Sequence, residues 1–339
     1  MQARIGRLAA AVDRLGWVVL LLAAVVCAYA VIATMLVSAP VGRTFADWAT
    51  YVHTVNRMLS GAPIYAPEQL SGTYVLVGVT LFGYAYLPSS VPLFLPFITY
   101  PIGLVLWLTL NVGLLLTGLY AILRRELGRP EPLAFAVVLL TLAFIRGFTD
   151  GVSFGNASVG LAGLFAWSWV IGRGKTLGGA LAGLGATIKL VPGALIFWAT
   201  PGTFLRVIGA ELAVGIALAI LTLPLVGIQS WSDYLRALSL SEPACAVDST
   251  PNSVACMLKP ALGIAGAKLA GIVIAALAGV LAVVVRSSLV SFALIAVAWL
   301  APVTDLHFHY YLVAYVVAVV AIARWVGRRR GSMVSVTPA

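Results

Sequence analysis

Asp47, Lys189 and the pair His307/His309 are ionisable residues placed beside or inside long apolar stretches of this chain. A charge at a bilayer boundary is costly to keep, so such residues mark functional sites by default. A carboxylate can take a proton from a hydroxyl as a general base. A lysine in a low-dielectric cavity suits the point charge of a phosphate. The candidates for chemistry are therefore a carboxylate in the first loop and a buried cation more than a hundred residues later.

Each residue also has a plainer structural role. Asp47 precedes the amphipathic stretch Trp48–Leu59, and Asp at an N-cap is worth about 1 kcal/mol. Lys189 would sit in one long helix and snorkel its ammonium outward. The alternation of His307 and His309 predicts rings on different sides, and a histidine at a helix start is often only structural. Arg146 and Asp150 are spaced to form an i,i+4 ion pair. Arg57 is set either to touch lipid phosphate or to be solvated, four residues after His53. The tyrosines and tryptophans, among them Trp48, Tyr51, Tyr65, Tyr84, Tyr86, Tyr234, Tyr310 and Tyr311, fall at predicted span boundaries, as an aromatic belt does.

The elements that must position these residues follow from composition. Of 339 residues, 62% are hydrophobic and 9% charged, against about 25% charged in soluble proteins. Apolar runs of about 17 to 23 residues match a hydrocarbon core of roughly 30 Å. The chain is expected to be an all-α polytopic membrane protein. The period-2 pattern of a membrane β-barrel is absent. The net charge of +10 is spread over short loops, which argues against nucleic acid and for membrane topology. The first apolar run, Trp17–Val37, is longer than a signal-peptide core and is expected to be a retained anchor.

Ten spans are predicted, at 17–38, 102–123, 132–149, 156–171, 177–188, 190–200, 205–227, 263–285, 287–302 and 309–326. Fourteen of the 21 basic residues then lie on one side, in clusters such as Arg124/Arg125/Arg129, Arg173/Lys175 and Arg324/Arg328/Arg329/Arg330. The positive-inside rule makes that side cytoplasmic, with both termini inside. One domain is expected over 1–330, with outer loops at 39–101 and 228–262 and a disordered tail at 331–339. Parity makes 88–100, rich in proline, a juxtamembrane or re-entrant helix separate from the next span. It also makes Leu177–Thr200 a hairpin with Lys189 near its tip, in a protein-lined cavity. Of the three cysteines, Cys245 and Cys256 share one outer loop and are expected to form a disulfide there.

Four segments carry a family resemblance. They are Phe45-Ala-Asp47-Trp-Ala-Thr-Tyr51 with Gly61-Ala-Pro-Ile-Tyr65 and the following Tyr-Leu-Pro at 86–88; Phe154-Gly155-Asn156-Ala-Ser158; Gly183 to Pro192, containing Lys189; and Ala301-Pro-Val-Thr-Asp305-Leu-His307-Phe-His309. In these the chain resembles the GT-C-fold, polyprenyl-phosphate-dependent glycosyltransferases, and most closely the actinobacterial α-mannosyltransferase-like family, glycosyltransferase family 87. Serine at 158 replaces the family's second amide, and Asp305 stands where tryptophan is usual.

The resemblance implies an inverting transfer of a sugar, mannose above arabinose, at the outer face of a bacterial plasma membrane. The donor would be a polyprenyl-phosphate sugar and the acceptor a lipid-linked glycan. Asp47 would be the base, since a phosphate leaving group needs no general acid and a single carboxylate suffices. Lys189, His307 and Arg146 would meet the donor phosphate. Tyr51, Tyr65, Asn156, His309, Asp305 and Asp150 would line the sugar and acceptor. No metal or other cofactor is expected, because no acidic or His/Asp cluster has ligand spacing. Besides substrates and membrane lipids no partner is expected, and the protein is read as a monomer. The rival readings are an arabinofuranosyltransferase and, in another class, a lipid or sugar transporter.

Overall fold

The computed structural model describes residues 2–39, 44–72, 74–75, 84–129, 131–242, 253–303 and 307–334. Helix α1 (Gln2–Ser38) leads to an amphipathic helix, α2 (Ala46–Leu59), and the short α3 (Pro67–Ser71). A 3-10 helix over Pro88–Phe97 precedes α4 (Ile102–Leu127). Next come α5 (Pro132–Phe144), α6 (Arg146–Phe154), α7 (Ser158–Ile171) and α8 (Thr176–Ile188), then a 3-10 helix over Val191–Phe197. The chain continues through α9 (Phe204–Val226), α10 (Gln229–Leu240), α11 (Val254–Val284), α12 (Ser288–Leu300) and α13 (Leu312–Val334). The one strand pairing among the described residues joins Tyr74–Val75 to Ser241–Glu242 in parallel.

This is an all-helical integral membrane protein. Among the described residues five helices are long and apolar enough to cross a bilayer: Leu15–Ser38 within α1, α4, α9, α11, and Phe308–Arg329 around α13. A sixth is added if α5 and α6 count as one span bent by 72°. The other four expected spans fall on shorter elements. Helices α7, α8 and α12 are apolar but only 13 or 14 residues long, about 20 Å at 1.5 Å per residue. The expected span at 190–200 is a seven-residue 3-10 helix with Pro192 in its first turn. The stretch at 88–97 is also 3-10, because Pro92 and Pro96 cannot donate to an α-helical ladder. It is separate from α4, as parity required.

The hairpin around Lys189 is present. The backbone N–H of Gly174 donates to Trp198 O, and Arg173 Nε donates to Ala199 O, which closes its base. Pro192 packs on Gly185 near its tip. Packing elsewhere follows small residues, as it does between membrane helices. A Cβ on Gly163 would lie within 2.6 Å of the backbone of Leu115, so α4 and α7 touch only because that residue is glycine.

Two buried cores result. One lies inside the bundle around Leu119, Phe165, Phe292 and Trp299. The other gathers Tyr51, Tyr65, Tyr84, Phe94 and Trp107 between α2, the first 3-10 helix and α4. That second core corrects the aromatic-belt expectation. Tyr51, Tyr65 and Tyr84 are at most 2% exposed; Tyr51 stacks on Phe94 and Tyr65 lies tilted against Tyr84, rather than facing lipid headgroups. Cys256 is disulfide-bonded and Cys27 is free; Cys245 lies outside the described residues.

Candidate active site

Phe45 adopts a left-handed backbone (φ 58°), and its N–H donates to Ser153 O at 2.7 Å. That bond turns the chain sharply onto α6 just before α2 begins. Asp47 is then the second residue of α2, not its cap; the N-cap is Phe45, and no side chain caps this end. The carboxylate is left for another partner. Asn156 provides it, donating from Nδ2 to Asp47 Oδ2 at 2.7 Å.

Asn156 is placed by the end of α6. Gly155 closes that helix at φ 67°, where a Cβ would come within 2.8 Å of the Trp48 side chain. Its carbonyl accepts from Trp107 Nε1 at 2.7 Å. Glycine here allows both the turn and the approach of α2. Asn156 Oδ1 accepts from the Ser158 N–H at 2.8 Å and from Lys189 Nζ at 3.4 Å. These bonds fix the amide orientation, since nitrogen must face the carboxylate and oxygen the ammonium. One amide thus joins carboxylate to ammonium.

Lys189 ends α8 with an extended backbone (φ −136°, ψ 137°) and is 6% exposed. Its ammonium also donates to Ser158 Oγ at 2.9 Å and to Tyr310 Oη at 3.2 Å. It lies 5.0 Å from the centre of the Tyr86 ring and 4.6 Å from that of Tyr310. Three neutral acceptors and two π faces surround the charge, and among the described residues no carboxylate forms an ion pair with it. Tyr86 is held in turn by the second core. Tyr65 Oη donates to its carbonyl at 2.6 Å, and its hydroxyl pairs with Tyr51 Oη at 3.1 Å.

Burial pushes the half-buried Asp47 carboxyl above the usual range, against the Asn156 hydrogen bond and the charges of Lys189 and His307, which pull it down. The shift brings it closer to neutrality, where a general base works best.

The two histidines approach this array from the α13 side. A Cβ on Gly147 would collide with the Phe308 carbonyl, so glycine there lets the segment lie against α6. The rings of His307 and His309 stack, 5.5 Å apart and 23° from parallel. That corrects the expectation of opposite faces, which assumed a strand-like alternation; residues 308–311 form a 3-10 turn instead. His307 is exposed and His309 4% exposed, its Nε2 buried without a protein partner.

Arg146 and Asp150 pair with each other, Nε to Oδ2 at 2.9 Å. The guanidinium also covers the Phe308 ring at 4.5 Å. No hydrogen bond joins this pair to Asp47 or Lys189. Arg57 donates to the carbonyls of Pro63 and Tyr65 and so fastens the turn after α2. Asp305 lies outside the described residues.

An apolar cavity of about 750 Å³ runs from Lys189, Tyr86 and Tyr310 between the hairpin, α10, α11 and α12, past Ala194, Ile272 and Ala298. Asp47 does not line it. The groove therefore opens at the lysine end of the array, not beside the carboxylate. Sequence reading had left four participants unassigned. Tyr86 and Tyr310 looked like belt residues, Ser158 looked like a lost amide, and Glu211 of α9, which lines the groove, carried no motif.

With Lys189, Asn156 and Ser158 in one network, the comparison with known families is decisive. The family model for glycosyltransferase family 87 matches residues 84–302, well over half the chain. The chain belongs to glycosyltransferase family 87. The matched region contains Tyr86, Asn156, Ser158 and Lys189; Asp47, His307 and Tyr310 lie beyond its ends. Membership makes this membrane protein a glycosyltransferase and sets the transporter reading aside. No curated protein and no solved structure matches the chain.

Proposed function

We propose that this glycosyltransferase moves mannose, with inversion, from a polyprenyl-phosphate donor to a lipid-linked glycan on the outer face of a bacterial plasma membrane. One observation supports this most strongly. A buried lysine stands at the mouth of a long apolar cavity and is bridged by one amide to a carboxylate. The cavity suits an isoprenoid chain, and Lys189 suits the phosphate at its end.

In this reading Asp47 accepts the proton of the acceptor hydroxyl as its oxygen attacks the anomeric carbon. The bond from that carbon to the phosphate oxygen breaks, and polyprenyl phosphate leaves with its growing charge met by Lys189. Among the described residues the ammonium holds only neutral acceptors, so a phosphate adds a strong partner without displacing a carboxylate. His309 Nε2, buried and with no hydrogen-bond partner among the described residues, would bond a substrate oxygen, and His307 lies at the same edge. Tyr51 and Tyr65 act indirectly by holding Tyr86. The separation of basic clusters from the Asp47 end fits both termini lying in the cytoplasm.

The test is transfer by the purified protein from radiolabelled polyprenyl-phosphomannose to a lipid-extract acceptor, with polyprenyl-phosphoarabinose in parallel. Mannose transfer supports the reading. Arabinose transfer keeps the mechanism but replaces the sugar, and no transfer from either donor defeats the donor class.

A further inference from the structure

The helices that carry the Asp47–Lys189 array end, at their far ends, around a second cavity of about 380 Å³. Arg125 and Glu126 of α4, Trp169 of α7, Arg173, and Arg324 and Arg328 of α13 line it. A positive-inside bias alone would scatter arginines over solvated loops. Here four guanidiniums meet one carboxylate in a concavity.

Two of the four are already committed. Arg125 donates to the carbonyls of Trp169 and Val170 at the last turn of α7. Arg173 donates to Ala282, Val283 and Val285 at the end of α11, besides Ala199. Both neutralise the negative ends of helices. Glu126 is committed as well, accepting from Trp169 Nε1 at 2.9 Å. Among the described residues it forms no ion pair with any arginine, although α13 approaches so closely that a Cβ on Gly327 would collide with the Glu126 carbonyl.

Arg324 and Arg328, one helical turn apart, form no ion pair with a carboxylate among the described residues. Arg324 lies over the Trp169 ring at 5.8 Å, and that ring stacks on Trp198 at 5.6 Å. Ser288, the first residue of α12, also borders the cavity, so a helix N-terminus adds to the positive potential. The membrane-spanning stretch Phe308–Arg329 contains both arginines at its end. The cavity therefore lies where headgroups lie, with tryptophan as its floor.

We propose that this cavity holds the phosphate of an anionic membrane lipid, with Arg324 and Arg328 as its cationic contacts. It is a second lipid site, at the opposite end of the bundle from the array around Lys189. Each arginine at such a surface contributes a few-fold in affinity.

The experiment titrates the purified full-length protein, in neutral detergent, with dioctanoyl phosphatidylglycerol, dioctanoyl phosphatidylcholine or inorganic phosphate, counting bound molecules by native mass spectrometry. Phosphatidylglycerol is expected to bind the wild type well ahead of phosphatidylcholine. Arg328→Gln, which changes an exposed residue, should weaken binding about fivefold, and R324Q/R328Q by about twenty-five-fold. Equal phosphatidylglycerol binding by wild type and Arg328→Gln overturns the proposal. So does inorganic phosphate binding as tightly as the lipid with the same loss in the variants, since the site would then take a free anion.

Discussion

At one end of the bundle a single ammonium, Lys189, is buried among three neutral acceptors and two tyrosine rings. At the other, four guanidiniums crowd a cavity, two of them tied to the carbonyl ends of helices. The same helices, α4, α7 and α13, connect the two. Removing an ammonium from water costs several kcal/mol even after relaxation, and hydrogen bonds to a charged group return about 1.5–3 kcal/mol each. The contacts around Lys189 are thus enough to keep it, but they do not neutralise it. At the arginine end two of the four guanidiniums offset helix termini and hold the fold together. The difference separates a lone charge set among neutral acceptors from a cluster that shares its charge with the architecture.

Lys189→Ala should have the largest effect. Loss of the one lysine or arginine that lines the groove among the described residues should lower transfer by at least about 10² to 10³, the range for removing one preorganised charge-stabilising group. Single-turnover transfer together with donor binding measures this. A wild-type rate would mean that the two ends do not differ in function.

Asn156→Ala breaks the bridge itself. It removes one hydrogen bond to each charged partner, so a loss of about 10- to 100-fold is expected. The pH–rate profile sharpens the point. With Asp47 as the proposed base, activity is expected to fall as pH drops through its raised pKa, so the acid limb should lie above the ordinary carboxylate range. Because the Asn156 hydrogen bond pulls that pKa down, Asn156→Ala should move the acid limb to still higher pH. The native carboxyl binds its proton more tightly than the unfolded one, so acid favours the folded form at this group. Inactivation along that limb is therefore reversible titration, which a pH-jump assay would show.

How far these roles were legible in the sequence depends on how local their causes are. Lys189 at a hairpin tip followed from charge parity on either side of Leu177–Thr200, a nearly one-dimensional argument, and the closed hairpin base bears it out. The cap assigned to Asp47 failed because Phe45 takes a left-handed turn to reach Ser153, more than a hundred residues away. Tyr86 and Tyr310 could not be paired with Lys189 for the same reason. Apolar composition marked the helices but not their lengths, since prolines at 92, 96 and 192 and the bend at Ile145 shorten them.

Tyr310→Phe is a smaller perturbation. It keeps the ring over Lys189 but removes one acceptor, and a loss of about tenfold or less in transfer is expected. Smallest of all is Arg129→Gln at the arginine end, where a pair with Glu131 at 2.7 Å has its arginine 72% exposed. Exposed pairs contribute about 0–1 kcal/mol, so transfer should be unchanged and the melting temperature nearly so.

Asp47→Asn tests the central claim most directly. The substitution keeps size and an oxygen that accepts from Asn156, and it removes a carboxylate whose burial disfavours its charge. The melting temperature should hold or rise. Measured as single-turnover transfer beside native mass spectrometry of bound donor, the variant should bind donor as the wild type does. Its transfer should be about 10² to 10⁴ slower, the usual contribution of a positioned base. Near-normal transfer by the folded variant would contradict the account and place the base elsewhere.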